Sequence, residues 1–309
     1  CDLRHSWSCF RGLTYRQFAH PSGAMNLESL TTAGTLAFAT ALLFLVSARA
    51  WHALTRMAMG APIFRDSTMR EAAQRFRDET DRLSRNHAAY LAAALISSFI
   101  FAVAIGFEMG GLYRGYPTWQ LGLVVTLLAS FGVFVLFKLA TTLKKLALAR
   151  FQRDASIAIG HQLLRFATTH GAVFHDVDVG EKFVDHVLVG HDGAYAIHVI
   201  AERNRTRRAA RLTGEQLVLG KESFSLDRFT NNAHRLSAAF SKLAGHKIPV
   251  RSVVAIPGWD VDSQQGNKHL LVNERTLPML TGWKSRTDYL MNEDVAVILE
   301  YLTDRGKRV

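Results

Sequence analysis

Three uncharged stretches constrain this chain more than any other feature of its sequence. SLTTAGTLAFATALLFLVSA lies between Glu28 and Arg49, NHAAYLAAALISSFIFAVAIGF between Arg85 and Glu108, and GYPTWQLGLVVTLLASFGVFVLF between Arg114 and Lys138. Each has about the 20 residues that an α-helix needs to cross roughly 30 Å of hydrocarbon. Charge is confined to their ends, and amphipathic aromatics stand where headgroups would be: Trp51 after the first, Tyr90 in the second, Tyr116 and Trp119 opening the third. The expectation is a three-helix membrane region over 29–141, with spans at about 29–48, 88–107 and 117–137. No span carries an ionisable residue near its middle, which argues for an anchor rather than an ion or proton pathway.

Basic residues set the expected orientation. The loop from Trp51 to His87 holds Arg56, Arg65, Arg70, Arg75, Arg77, Arg82 and Arg85, whereas the turn at 109–118 holds only Arg114. Lys138, Lys144, Lys145, Arg150 and Arg153 follow the third span. Lys and Arg stay on the cytoplasmic side, so the first loop and the C-terminal half are expected there, with the N-terminus outside. This predicts a multi-pass protein of the bacterial inner (plasma) membrane. Within the first loop, STMREAAQRFRDETDRLSRN reads as a solvated polar helix at the membrane surface with no chemical role.

The net charge of +11 makes acidic partners plausible, nucleic acid or anionic lipid, without choosing between them. The two cysteines, Cys1 and Cys9, can build neither a disulfide framework nor a Cys-type zinc site. Residues 1–28 show no hydrophobic periodicity and are expected to be disordered or untranslated, with Met25 a candidate start. A processed lipoprotein acylated at Cys1 is the other reading.

From Gln152 onward the texture becomes that of a folded domain, expected over 152–305. DASIAIGHQLLRFATTH has apolar residues at helical spacing; AVFHDVDV, FVDHVLVG and GAYAIHVIA alternate as strands; RLTGEQLVLGKESFSLD suggests a hairpin. LDRFTNNAHRLSAAFSKLAG predicts a helix ending at Gly245, VRSVVAIPGW and HLLVN buried strands, and NEDVAVILEYLTD a closing helix. A helix, a strand meander, a crossover helix and further strands make a mixed α/β sheet.

This order, with the segments IGHQLL, HDVDV, VDHVLVG, DGAYAIHVI, LDRFTNNAHRLSAAF and VRSVVAIPG, resembles the nuclease-related domain NERD over roughly residues 156–300. NERD is a branch of the restriction-endonuclease-like PD-(D/E)xK superfamily. The resemblance implies a restriction-endonuclease-like fold and a metal-dependent phosphodiester hydrolase, in which carboxylates hold a cation that activates water. It also implies a helix opening Gly-Glu, a strand Asp, and a Glu-x-Lys on the next strand. Here the helix Glu position is His161, the Asp is Asp185, the strand Glu is His198 and the Lys is Ile200. Three of the four positions have therefore changed.

One carboxylate without a lysine holds Mg²⁺ poorly, since that ion prefers oxygen ligands. The expectation is a degenerate site at Asp185, His161 and His198. The alternative is an active nuclease with a rearranged site, in which His161, Asp185 and His198 would bind a transition metal. Glu202 lies four residues past His198, about 13 Å along a strand, and cannot replace the lost acid without a bulge. His186, on the other strand face from Asp185, reads as structural. Arg203, Arg205, Arg207, Arg208 and Arg211 form a candidate nucleic-acid contact just after the strand, or a solvated or lipid-facing loop. Trp259 and Trp283 read as core or rim aromatics. No Gly-x-Ser-x-Gly, phosphate-loop or dinucleotide fingerprint occurs, so no small-molecule cofactor is expected, and a divalent metal only under the alternative. The expected function is a membrane-anchored binding domain, for DNA, RNA or a protein partner.

Overall fold

The computed structural model describes residues 27–59, 69–107, 111–180, 182–203, 209–265, 268–281 and 289–307. Cys1, Cys9, Met25, Arg205, Arg207, Arg208 and Trp283 lie outside them. Two compact units emerge: residues 1–50 with 89–137, and residues 51–88 with 138–309.

The first unit is built from most of α1 (Leu27–Met59), the C-terminal half of α2 (Gln74–Gly106) and the N-terminal part of α3 (Thr118–His170). All three helices are long and apolar enough to cross a membrane. Their contacts run through small residues, as helices need when lipid gives no hydrophobic drive to associate. Ala33, Ala37, Ala41, Ala93 and Ala104 are buried, and a Cβ on Gly34 would stand 2.7 Å from Leu128 Cδ1. Phe38 meets Phe131 edge-on at 4.7 Å. Thr31, Thr32, Thr35 and Thr40 return their hydroxyls to carbonyls of the preceding turn, which pairs these polar groups within their own helix. Leu43, Leu95, Phe99, Leu127, Val133 and Phe134 are exposed instead, which suits a hydrocarbon surrounding.

Nothing in the sequence from Thr118 to His170 stops a helix: no proline occurs past Pro117, and the glycines are isolated. The expected third span and the first helix of the folded domain are therefore one element, α3. The polar segment of the first loop is likewise the start of α2 rather than a separate surface helix.

The second unit centres on a five-stranded sheet in the order β1-β2-β3-β7-β9, formed by β1 (Ala172–Asp178), β2 (Phe183–Gly190), β3 (Gly193–Val199), β7 (Val250–Ala255) and β9 (His269–Val272). β1 pairs with β2 and β2 with β3 antiparallel, while β3 pairs with β7 and β7 with β9 in parallel. The α3 residues Ile159 and Leu163 pack on one face, against Leu188, Tyr195, Ile197 and Val253. On the other face lie α4 (Asp227–Ala244) and α5 (Asn292–Arg305), whose Leu236, Phe240, Ile298 and Leu302 cover Val187, Val189, Ala194 and Ala196. The α4 helix ends at Gly245 in the left-handed region, φ 76°, as the sequence anticipates. The expected hairpin after β3 is a meander of β4 (Ala210–Thr213), β5 (Gln216–Leu219) and β6 (Glu222–Ser225). It joins β8 (Val261–Gln265), a polar strand that periodicity does not reveal, in a second sheet ordered β6-β5-β4-β8.

Candidate functional site

The site expected at the β2–β3 pair is closed from within. Asp185 is 6 % exposed and each of its carboxylate oxygens accepts a hydrogen bond from within the fold. Oδ2 accepts the Val199 backbone N–H at 2.9 Å, and Oδ1 accepts the Arg75 guanidinium at 3.0 Å. Burial pushes this carboxyl up to about 6, against the pull of Arg75 and of the Val199 N–H toward the charged form. Arg75 is fixed in turn. Its guanidinium lies over the Phe76 and Phe183 rings, and its backbone N–H donates to Asp176 Oδ2 at 2.9 Å.

Asp176 brings the start of α2 onto the sheet. Its backbone sits at φ +47°, a conformation Asp tolerates better than most side-chain-bearing residues. Its carboxylate then meets an N–H in the first turn of α2, doing across the fold what an N-cap does locally. Oδ1 of the same group is buried without a partner, and burial raises its pKa. Arg70 completes the seam: its guanidinium donates to the Asp176 carbonyl at 2.6 Å and its N–H to the Gly306 carbonyl at 2.8 Å.

His198 follows Ile197 on β3, one step beyond the His186–Ile197 register pair, and is 2 % exposed. It stacks on Phe229 of α4 at 4.2 Å with 11° between planes, and its Nε2 has no partner. Burial first, then the positive charge of Arg228, pushes its pKa down to about 3, so the ring is neutral. His161 stands elsewhere. It is solvent-exposed on α3, the helix on the opposite face of the sheet from α4. The structure thus brings Asp185 and His198 onto neighbouring strands and leaves His161 across the sheet from His198. Among the described residues no group of three His, Cys, Asp or Glu could hold a metal ion. Ile200 is half-buried against the cluster of Phe229, Val254 and Leu271, an apolar role that a lysine could not fill.

The imidazole density lies on the α3 face instead. His175 Nδ1 and His186 Nδ1 are 2.8 Å apart, and His186 Nε2 is 3.3 Å from Ser156 Oγ. With both rings neutral, one of the two Nδ1 atoms donates to the other, and the His186 tautomer sets whether its Nε2 donates to Ser156 or accepts from it. Burial lowers His175 to about 4 and His186 well below the usual range. A Cβ on Gly160 would come within 2.7 Å of Ala72 Cβ and 3.3 Å of His186 Cε1, which is why α3 needs a glycine here. His186 is thus structural.

Of the expected arginine contact, Arg203 and Arg211 lie among the described residues. Arg211 is exposed and pairs with Asp262 at 2.8 Å. Arg203 lies over the Phe151 ring, 5.4 Å from its centroid. Trp259 is buried and donates Nε1–H to the Glu202 carbonyl at 2.8 Å, a core aromatic. Sequence reasoning missed Arg75 and Asp176. The signal for Arg75 was weak, a cation in a polar helix 110 residues from its partner. Compared with family models, with curated proteins and with solved structures, the chain matches none.

Proposed function

We propose that this is a membrane-anchored NERD-like protein whose α/β domain binds a polyanion, nucleic acid first, and does not hydrolyse it. The observation that carries this reading is the internal pairing of the buried Asp185 with Arg75 and the Val199 N–H. A phosphodiesterase carboxylate turns its charge toward a cation, and here that charge is already met by a guanidinium and an amide N–H, one on each oxygen. The Arg75 guanidinium stands where a metal's charge would be needed. His198 in the acid position is neutral and stacked, and Ile200 in the lysine position belongs to an apolar cluster. The order of a helix, three antiparallel strands, a crossover helix and a parallel strand supports the family reading. The uncharged helices and the basic residues bordering them support an inner-membrane anchor with the domain in the cytoplasm.

The test uses the full chain in detergent, since residues 69–88 belong to the same unit as the sheet. Labelled DNA and RNA are incubated with it in Mg²⁺, Mn²⁺ and Zn²⁺. The expected result is no cleavage, with a gel shift that weakens steeply as salt rises and on replacing Arg205, Arg207 and Arg208. Metal-dependent cleavage abolished by Asp185→Ala would overturn the reading in favour of an active nuclease with a rearranged site. A protein with neither cleavage nor shift is a scaffold for a protein partner.

A further inference from the structure

A groove of about 600 Å³ lies between α3, the β5–β6 turn and the end of β3. Its walls carry three cations from three separate places in the chain: Lys144 of α3, Arg203 after β3, and Lys221 between β5 and β6. Phe151 and Trp259 give it an aromatic side, and Arg203 is held over the Phe151 ring. Glu202 and Glu222 also line it, so the formal sum is three positive charges less two negative, or +1. A single phosphodiester of charge −1, with an apolar or hydroxylated attachment, matches that balance better than a multiply charged phosphate. Position supplies the source of such a group. Lys144 follows Phe137, the last residue of the third uncharged stretch, by seven residues on the same unbroken helix. At 1.5 Å per residue this is about 10 Å of rise, comparable to the depth of the headgroup layer. Leu143 and Leu148 flank Lys144 on α3 with exposed side chains, as snorkelling lysines among apolar neighbours do at an interface.

We infer that this groove binds the headgroup phosphodiester of an anionic membrane phospholipid, with Lys144 and Lys221 gripping the phosphate and the aromatic wall covering its glycerol side. The inference rests on the anchor reading proposed above. It is tested with the full chain in detergent by native mass spectrometry, titrating short-chain phosphatidylglycerol with phosphatidylcholine as comparison. Arg203 is left intact because the polyanion reading also uses it. The double substitution Lys144→Gln/Lys221→Gln is expected to weaken phosphatidylglycerol binding by about tenfold or more, at roughly 1 kcal/mol per basic residue near anionic lipid. Lys144→Arg/Lys221→Arg is expected to keep it. Undiminished phosphatidylglycerol binding by the glutamine variant, or equal binding of phosphatidylcholine by the unaltered protein, would overturn the inference. Displacement of the lipid by inorganic phosphate or by a short oligonucleotide would also overturn it, assigning the groove to a free phosphate or to nucleic acid. A protein that leaves the membrane fraction without detergent removes the anchor reading and this inference together, whereas lipid-independent results from a detergent-requiring protein remove this inference alone.

Discussion

At Asp185 a single carboxylate is held charged-side inward by the fold. Its desolvation is offset by one guanidinium and one N–H, so the ion is tolerated but remains costly, as its raised pKa shows. Arg75 is 37 % exposed in its side chain, so its loss would cost about 2 kcal/mol, less than for a fully buried pair. The buried histidines work in the opposite direction with pH. Their folded pKa values are depressed, so their stabilising contribution is complete above the unfolded value of 6.5 and is lost as pH falls toward about 4 for His175 and about 3 for His198. Between pH 7 and pH 5 each costs about 2 kcal/mol, whereas Asp185, protonated more easily in the fold, returns roughly 1 kcal/mol. Acidification is therefore net destabilising. His198→Phe removes an unpartnered buried nitrogen while keeping a ring against Phe229. The gap between melting temperatures at pH 7 and pH 5 is expected to narrow in this variant; an unchanged gap would show that His198 does not contribute to the acid sensitivity.

At the scale of elements, α2 starts where a strand residue caps it. Asp176→Ala removes the carboxylate from the Arg75 N–H and places alanine at φ +47°, so a loss of about 1–3 kcal/mol is expected. Asp176→Asn keeps an acceptor and tolerates that backbone, and should lose about 1 kcal/mol or less. Thermal unfolding in detergent compares the two, and equal losses would sink the capping account. Most elements were legible in the sequence because their patterns are local. The strands through FVDHVLVG and GAYAIHV alternate, and α4 carries an apolar stripe ended by Gly245. The merging of the third span with the domain's first helix was hidden by a change of solvent along one helix, from lipid-like to globular, which looks like a boundary although no residue breaks the backbone there. β8 escaped because VDSQQ is polar and carries no alternation; it is an edge strand paired in parallel with β4. The candidate site was half legible: the strands that carry Asp185 and His198 side by side follow from their alternation, but Arg75, which pairs with Asp185, comes from a segment whose own pattern says only solvated helix. A tertiary ion pair leaves no period in a sequence.

For the whole molecule, the basic loops predict which side each segment faces. In a cysteine-free background, Gly115→Cys, in the short turn before α3, is expected to react with a membrane-impermeant maleimide on intact cells. Arg305→Cys, at the end of α5, is expected to react only after permeabilisation. The reverse pattern would contradict the assigned orientation.

The contact between Arg75 and Asp185 bears on how such a chain is made. Because the two residues touch, any crossings of a bilayer between Ala88 and Lys138 must be even in number, whatever the charges of the loops say. Arg75 leaves the ribosome 110 residues before its partner, so the arginine must wait on the correct side until β2 is synthesised. A chain with that loop across a bilayer from the sheet would lack the Arg75 pair, and the buried Asp185 carboxyl would shift further toward its protonated form. The ion pair thus ties residues 69–88 and the sheet to one side of any such bilayer.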